Sequence, residues 1–150
     1  MRETYSGFIK KLEDNEVFVF GSNDKCVQGG GAALIASKND WCGRREFMGN
    51  RLSDCGKAYG LVTVEGPGQP FSLTPEEICS NISKFYYFAE KNPSLRFFIA
   101  YTNEDPQQTS LNGYRTIDMC VFFMQCGKIP DNIVFEDKFY ELMLEIGKNI

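Results

Sequence analysis

Val17-Phe18-Val19-Phe20 is a run of four apolar residues bounded by Glu16 and Gly21. A strand with one wet face alternates apolar and polar residues, so a short continuous run implies burial on both faces. Such a strand needs a covering layer on each side. The run ends in Gly21-Ser22-Asn23, residues suited to a sharp turn. Gly29, Gly30 and Gly31 then lead into Ala32-Ala33-Leu34-Ile35-Ala36, a good helix opening. Strand, glycine loop and helix together aim free backbone N–H groups at an anion, and the helix dipole adds to the attraction. The alternative is a flexible surface loop with chance glycines. Three in a row cost conformational order, which argues for a backbone reason.

Three further apolar runs have the same character: Leu61 to Val64, Arg96 to Thr102, and Asn132 to Phe135. Helical signals fall between them. A first helix is expected from Ala32 to about Trp41. Thr74-Pro75-Glu76-Glu77 has the N-cap, the first-turn proline and the glutamate of a capping box. Ile78, Ile82, Phe85 and Ala89 follow at helical spacing, and Asn92-Pro93 closes that helix. Another helix is expected from about Thr116, with Ile117, Cys120, Val121 and Met124 on one face, and a last one from Lys138 to about Ile146. Phe8, Ile9 and Leu12 suit either a short strand or a helical turn. Gly43 to Gly60 reads as irregular and charged. Alternating strands and helices with long connections predict a three-layer α/β/α fold: a mainly parallel sheet with helices on both faces. Residues 1–150 read as a single domain.

Of the 150 residues, 43% are hydrophobic and 24% charged, enough for a real core. The net charge of −4 argues against a broad nucleic-acid footprint, which needs a positive face. It leaves room for a small anion held by backbone groups. MRETYSGFIKK is polar where a secretory signal would be apolar, and no run is long enough for a bilayer, so a cytoplasmic protein without a membrane partner is expected. The six cysteines, Cys26, Cys42, Cys55, Cys79, Cys120 and Cys126, lack that secretory context, and no disulfide set is expected. With no CxxC pair and no histidine, neither a metal site nor a cofactor is expected. The missing imidazole also excludes hydrolases of the usual triad kind.

In a sheet of this type ligands bind beyond the carboxyl ends of the strands, where neighbouring crossovers go to opposite faces. Two loops leave strand ends in that sense, Gly21 to Gly31 and Asn103 to Tyr114. If their strands are neighbours, the loops can clasp a diphosphate with main-chain amides. Asn23 would lie at the bottom of the cleft, bonding either a ribose hydroxyl or its own turn. Neither a GxxxxGK[ST] segment nor a GxGxxG fingerprint is present.

These residues resemble those of macro domains, the ADP-ribose-binding modules, and most nearly the short single-domain members from bacteria and phages. The likeness rests on FVFGSN, then five residues, then GGGAA, and later on RFFIAYT followed by SLNGY and a helix. It spans roughly Glu16 to Phe135. It implies a macro-like fold that binds ADP-ribose or a derived nucleotide. The first-loop ligand residues would be Gly21, Ser22, Asn23, Gly29, Gly30, Gly31 and Ala32. Asn23 would take the distal ribose. Ser110, Leu111, Asn112, Gly113 and Tyr114 would close the other side. It also implies an acidic adenine-reading residue near the start, for which Glu13 and Asp14 are the candidates. Ala32 and Ala33 stand where macro hydrolases often carry an aspartate, Asn112 where an aromatic usually covers the ribose, and Ser110 where a glycine is usual.

Two functions follow. One is hydrolysis of a phosphate or ester on the distal ribose, as an ADP-ribose 1″-phosphate phosphatase or ADP-ribosyl ester hydrolase, with Asn23 positioning and Asp24 or Asp40 orienting a water. The other is a non-catalytic sensor or sequestering protein for such a nucleotide. The expected partner is the nucleotide alone, bound by a monomer. If the triple glycine makes the amide pocket, Gly30→Val should abolish nucleotide binding in calorimetry. The far-ultraviolet circular dichroism spectrum should stay unchanged.

Overall fold

The computed structural model describes residues 2–23, 31–43, 46, 49–66, 68–101 and 105–148. Among these described residues six strands and four helices follow in the order β1 (Thr4–Tyr5), β2 (Glu16–Ser22), α1 (Gly31–Lys38), β3 (Arg51–Leu52), β4 (Ala58–Val62), α2 (Pro75–Lys91), β5 (Arg96–Ile99), α3 (Thr116–Gln125), β6 (Ile133–Glu136) and α4 (Asp137–Lys148). The strands form one sheet in the order β1-β6-β5-β2-β4-β3. All pairings are parallel except β3 with β4. The fold is therefore α/β, with a mainly parallel mixed sheet between helical layers.

β2 lies inside the sheet, and its alternation sorts the core into two halves. Phe18 and Phe20 point to one face, where they meet Ala33 and Ala36 of α1, with Trp41 and Ala58. Val17 and Val19 point to the other, a larger cluster supplied by α2, α3 and α4. The register sets Phe18 beside Ala58 and Phe20 beside Gly60, large residues against small ones. That pairing is why β4 begins at Ala58, three residues before the apolar run suggests. Gly60 reads as a breaker in sequence but gives Phe20 its space. The stretch expected to be irregular also contains β3, which pairs Arg51 with Gly60.

Local signals account for most helix ends. At α2 the Glu77 N–H donates to Thr74 Oγ1 at 3.1 Å, and the Thr74 N–H donates to Glu77 Oε1 at 3.0 Å. α1 stops before the expected Trp41 because Asp40 turns left-handed, with φ of 58°. The Asp40 N–H then reaches Ser37 O, and the Trp41 N–H reaches Ala36 O at 2.9 Å, a Schellman ending. At the N-terminus the strand is Thr4–Tyr5, while Ile9 and Leu12 pack without regular structure against the α1-side cluster. Arg2 fastens this segment by donating to the carbonyls of Ile129, Pro130 and Ile133. Among the described residues no helix is long and apolar enough to cross a membrane.

The cysteine expectation needs correction. Cys79 on α2 and Cys126 at the C-cap of α3 form a disulfide, with Cα atoms 5.2 Å apart. No short motif announces it, because packing of α2 on α3 joins residues 47 apart. Ser83 Oγ donates to Cys126 O beside it at 2.8 Å. Closing so long a loop constrains the unfolded chain. Reduction, or a Cys79→Ser/Cys126→Ser pair, should lower stability in urea unfolding by about 2–4 kcal/mol.

Candidate functional site

The crossover through α1 carries the chain from β2 to β4, and the crossover through α3 carries it from β5 to β6. These connections run in opposite directions along the sheet and cover opposite faces. β2 and β5 are adjacent and parallel, with Val17 beside Phe97 and Val19 beside Ile99. Their carboxyl ends therefore form a switch point, the usual place for a ligand crevice in such sheets. β2 and β5 therefore end side by side at the same edge of the sheet.

The floor of this edge is polar. Ser22, the last residue of β2, is 1% exposed, and Asn23 is 8% exposed. By strand alternation Ser22 faces the α1 side and Gly21 the opposite side. A Cβ on Gly21 would stand 3.2 Å from Thr63 Oγ1 and 3.3 Å from the Tyr101 hydroxyl. Those two side chains, one just past the end of β4 and one just past the end of β5, both close over Gly21, so the glycine has a packing reason of its own. Burial pushes the Tyr101 phenol up to about 12, which keeps it protonated at neutral pH. Its ring stacks on Phe139 with centroids 5.7 Å apart.

One wall is the start of α1, opened by Gly31 and Ala32. The other is made where the loop after β4 meets the loop after β5. Thr109 bridges Arg115, the Ser110 N–H donates to Tyr114 O at 2.8 Å, and the Gly113 N–H donates to Ser110 O at 3.0 Å. Asn112 is 2% exposed and bonded in several directions. Its Oδ1 accepts from the Tyr114 N–H at 2.9 Å, and its carbonyl accepts from the Phe71 N–H at 2.7 Å. The Tyr114 hydroxyl donates to Leu73 O at 2.7 Å. Gly113, with φ of 94°, sits so close that a Cβ would come within 3.0 Å of Phe71 and Pro70. Because β2 lies between β4 and β5, this junction bridges the two strands that flank it.

The expected second-loop contacts change accordingly. The amides of Ser110, Gly113 and Tyr114 are satisfied inside the turn, and among the described residues those of Leu111 and Asn112 are not bonded there. Asn112 builds the turn through these bonds. Arg115 is engaged as well. Its Nε and a terminal nitrogen each donate to Asp118 at 3.0 Å, and its other terminal nitrogen donates to Gln107 at 2.8 Å. That pairing holds the Asp118 carboxyl below the usual range.

Asp40 ends α1 at the edge of the sheet remote from Asn23, and its role there is to close the helix. Glu13 and Asp14 form the turn ahead of β2, separated from Asn23 by the seven residues of that strand. At strand spacing this is roughly 20 Å, so neither can read a base held at the crevice. Asp24, Gly29 and Gly30 lie outside the described residues.

Sequence reasoning did not single out Thr63, Tyr101 or Phe71. Thr63 and Tyr101 lay inside runs read as buried strands and Phe71 followed a proline, so none stood out as a site residue. The carboxyl edge also holds Glu136, 4% exposed at the end of β6. Its Oε1 accepts the N–H groups of Lys138 at 2.9 Å and Phe139 at 3.2 Å, which makes it a cap for α4. Among the described residues a concavity of about 250 Å³ lies at the end of β4, by Asn50, Val62, Leu73 and Asn81, and one of about 260 Å³ lies by Glu90, Lys128 and Asn132. Among the described residues no three cysteine or carboxylate side chains gather where a metal ion could sit.

No protein-family model and no curated protein matches the chain.

The Gly113 contact gives a test of the wall. Gly113→Ala adds left-handed strain and a clash against Phe71, and should cost about 2–4 kcal/mol in chemical denaturation. Gly68 has φ of 72° with open space around its missing Cβ. Gly68→Ala should therefore show only the backbone part, about 1 kcal/mol.

Proposed function

We propose that this domain binds ADP-ribose, or a nucleotide derived from it, at the carboxyl end of β2. The observation that carries this reading is the parallel pairing of β2 with β5 at a switch point. It sets the end of β2, from which the chain continues into the glycine segment, beside the end of β5. The resemblance of FVFGSN and GGGAA to the first ligand loop of macro domains supplies the nucleotide. In this reading the amides of the glycine loop and the start of α1 hold the diphosphate, needing no cationic side chain. Asn23, at the crevice floor, bonds the distal ribose. The second loop contributes shape more than amides, since most of its own are taken.

The non-catalytic form of the reading is preferred over hydrolysis on one specific observation. Of the two carboxylates considered for orienting a water, Asp40 closes the far end of α1. A sensor or sequestering protein requires no such group. The hydrolytic reading would have to rest on Asn23 and Asp24 alone.

Calorimetry with ADP-ribose is expected to give a one-site isotherm, weakened about tenfold in Asn23→Ala, the loss of one buried polar contact. Incubation with ADP-ribose 1″-phosphate and with an ADP-ribosylated protein should release no product. Product formation that disappears in Asn23→Ala would replace the binder by the hydrolase. Absence of both heat and thermal shift with ADP-ribose and NAD would reject the nucleotide reading.

A further inference from the structure

Among the described residues Cys42, Cys55 and Cys120 carry free thiols. Cys120 is sealed in the larger core cluster, but the other two lie together near the end of α1. Cys42 is buried in the cluster of Phe18, Phe20 and Trp41, while Cys55 is exposed in the turn that carries β3 into β4. Hydrogen bonds knit the chain on both flanks of this pair. The Cys55 thiol donates to Trp41 O at 3.0 Å, and the Ser53 hydroxyl donates to the same oxygen at 2.9 Å. That carbonyl belongs to the peptide bond leading into Cys42. On the other flank, Glu46 accepts from the Gly43 N–H at 2.8 Å and from the Asp54 N–H at 2.7 Å. One carboxylate therefore holds both the residue after Cys42 and the residue before Cys55.

We propose that Cys42 and Cys55 are a reversible thiol pair, oxidised to a second disulfide by small disulfides such as oxidised glutathione. The pair is separate from Cys79–Cys126, which joins α2 to α3, and does not depend on the nucleotide reading. A disulfide tolerates up to roughly 7 Å between Cα atoms. Bonds of 2.7–3.0 Å on either flank bring the two segments to that scale. Burial pushes the Cys42 thiol up to about 11, and Glu46 and Cys55 add to the rise, so the two thiols stand within electrostatic reach. Exposure sets the order of the steps. Cys55, at the surface, attacks one sulfur of the oxidant as the thiolate, which forms a mixed disulfide and releases one glutathione. Cys42, only 5% exposed, then gives up its proton and attacks the Cys55 sulfur, releasing the second glutathione. Two protein thiols lose two electrons to the small disulfide, and their two protons pass through water to the two glutathione thiols. The new bond closes residues 42–55 into a loop and ties the end of α1 to the β3–β4 turn.

The whole protein is exposed to oxidised glutathione, its remaining thiols are blocked with iodoacetamide, and tryptic peptides are mapped by mass without reduction. Peptides 39–44 and 52–57 should be recovered joined, lighter by two hydrogens than their sum, and Cys120 should be found unoxidised. The melting temperature should rise by roughly 5–10 °C on oxidation, because the closed loop constrains the unfolded chain. Cys55→Ser alters an exposed side chain and should fold as the wild type does. Oxidised glutathione should then neither raise its melting temperature nor modify the shielded Cys42. In Cys42→Ser, Cys55 should stop at the mixed disulfide and keep one glutathione. Three results overturn the proposal: glutathione retained on Cys55 of the wild type with peptide 39–44 unlinked, either peptide joined instead to that of Cys26, or both thiols left unreacted.

Discussion

Everything positioned in this molecule is positioned by β2. It pairs with β4 on one side and β5 on the other, both parallel, and is covered by helices above and below. Its phenylalanines and valines decide which layer goes to which face, and its register with the small residues of β4 fixes how closely the neighbours approach. A slip of one residue would exchange the two faces and set Phe18 and Phe20 against the wrong layer. The same strand delivers Ser22 and Asn23 to the carboxyl edge with side chains fixed in direction. The rigidity of the candidate site is thus inherited from the most buried part of the sheet.

Around that strand end, the protein invests in shape with neutral groups. A hydroxyl pair from Thr63 and Tyr101 spans Gly21, and an asparagine, Asn112, ties the loop after β5 to the loop after β4. The one cation of residues 105–115 is already matched by Asp118. Interactions with dipoles and amides at such an edge are far less sensitive to salt than those with exposed charges.

Sequence conveyed the layers but not the joints. Val17 to Phe20, the capping box at Thr74 and the stripe from Ile78 to Ala89 are local signals, set by periodicity and by bonds within three residues, and the structure follows them closely. Gly60 and Asp40 were misread because their meaning is tertiary. One is small so that Phe20 fits beside it, and the other adopts a left-handed turn that only the finished helix end requires. The second loop was misread for a related reason. Ser110 to Tyr114 looks like an open amide turn until Phe71, some forty positions earlier, arrives to accept its packing. The Cys79–Cys126 bond is invisible in the same way, since nothing nearby in the chain announces that two helices will touch there.

The two-residue strand β1 has a role out of proportion to its length. It is the cover on β6, a strand buried along its whole length, and Arg2 pins it by three main-chain carbonyls. Were those few residues displaced, by a bulky fusion for instance, β6 would present bare amide and carbonyl groups along an apolar margin. A second molecule could then add its own chain there, and the sheet would grow from one protein into the next.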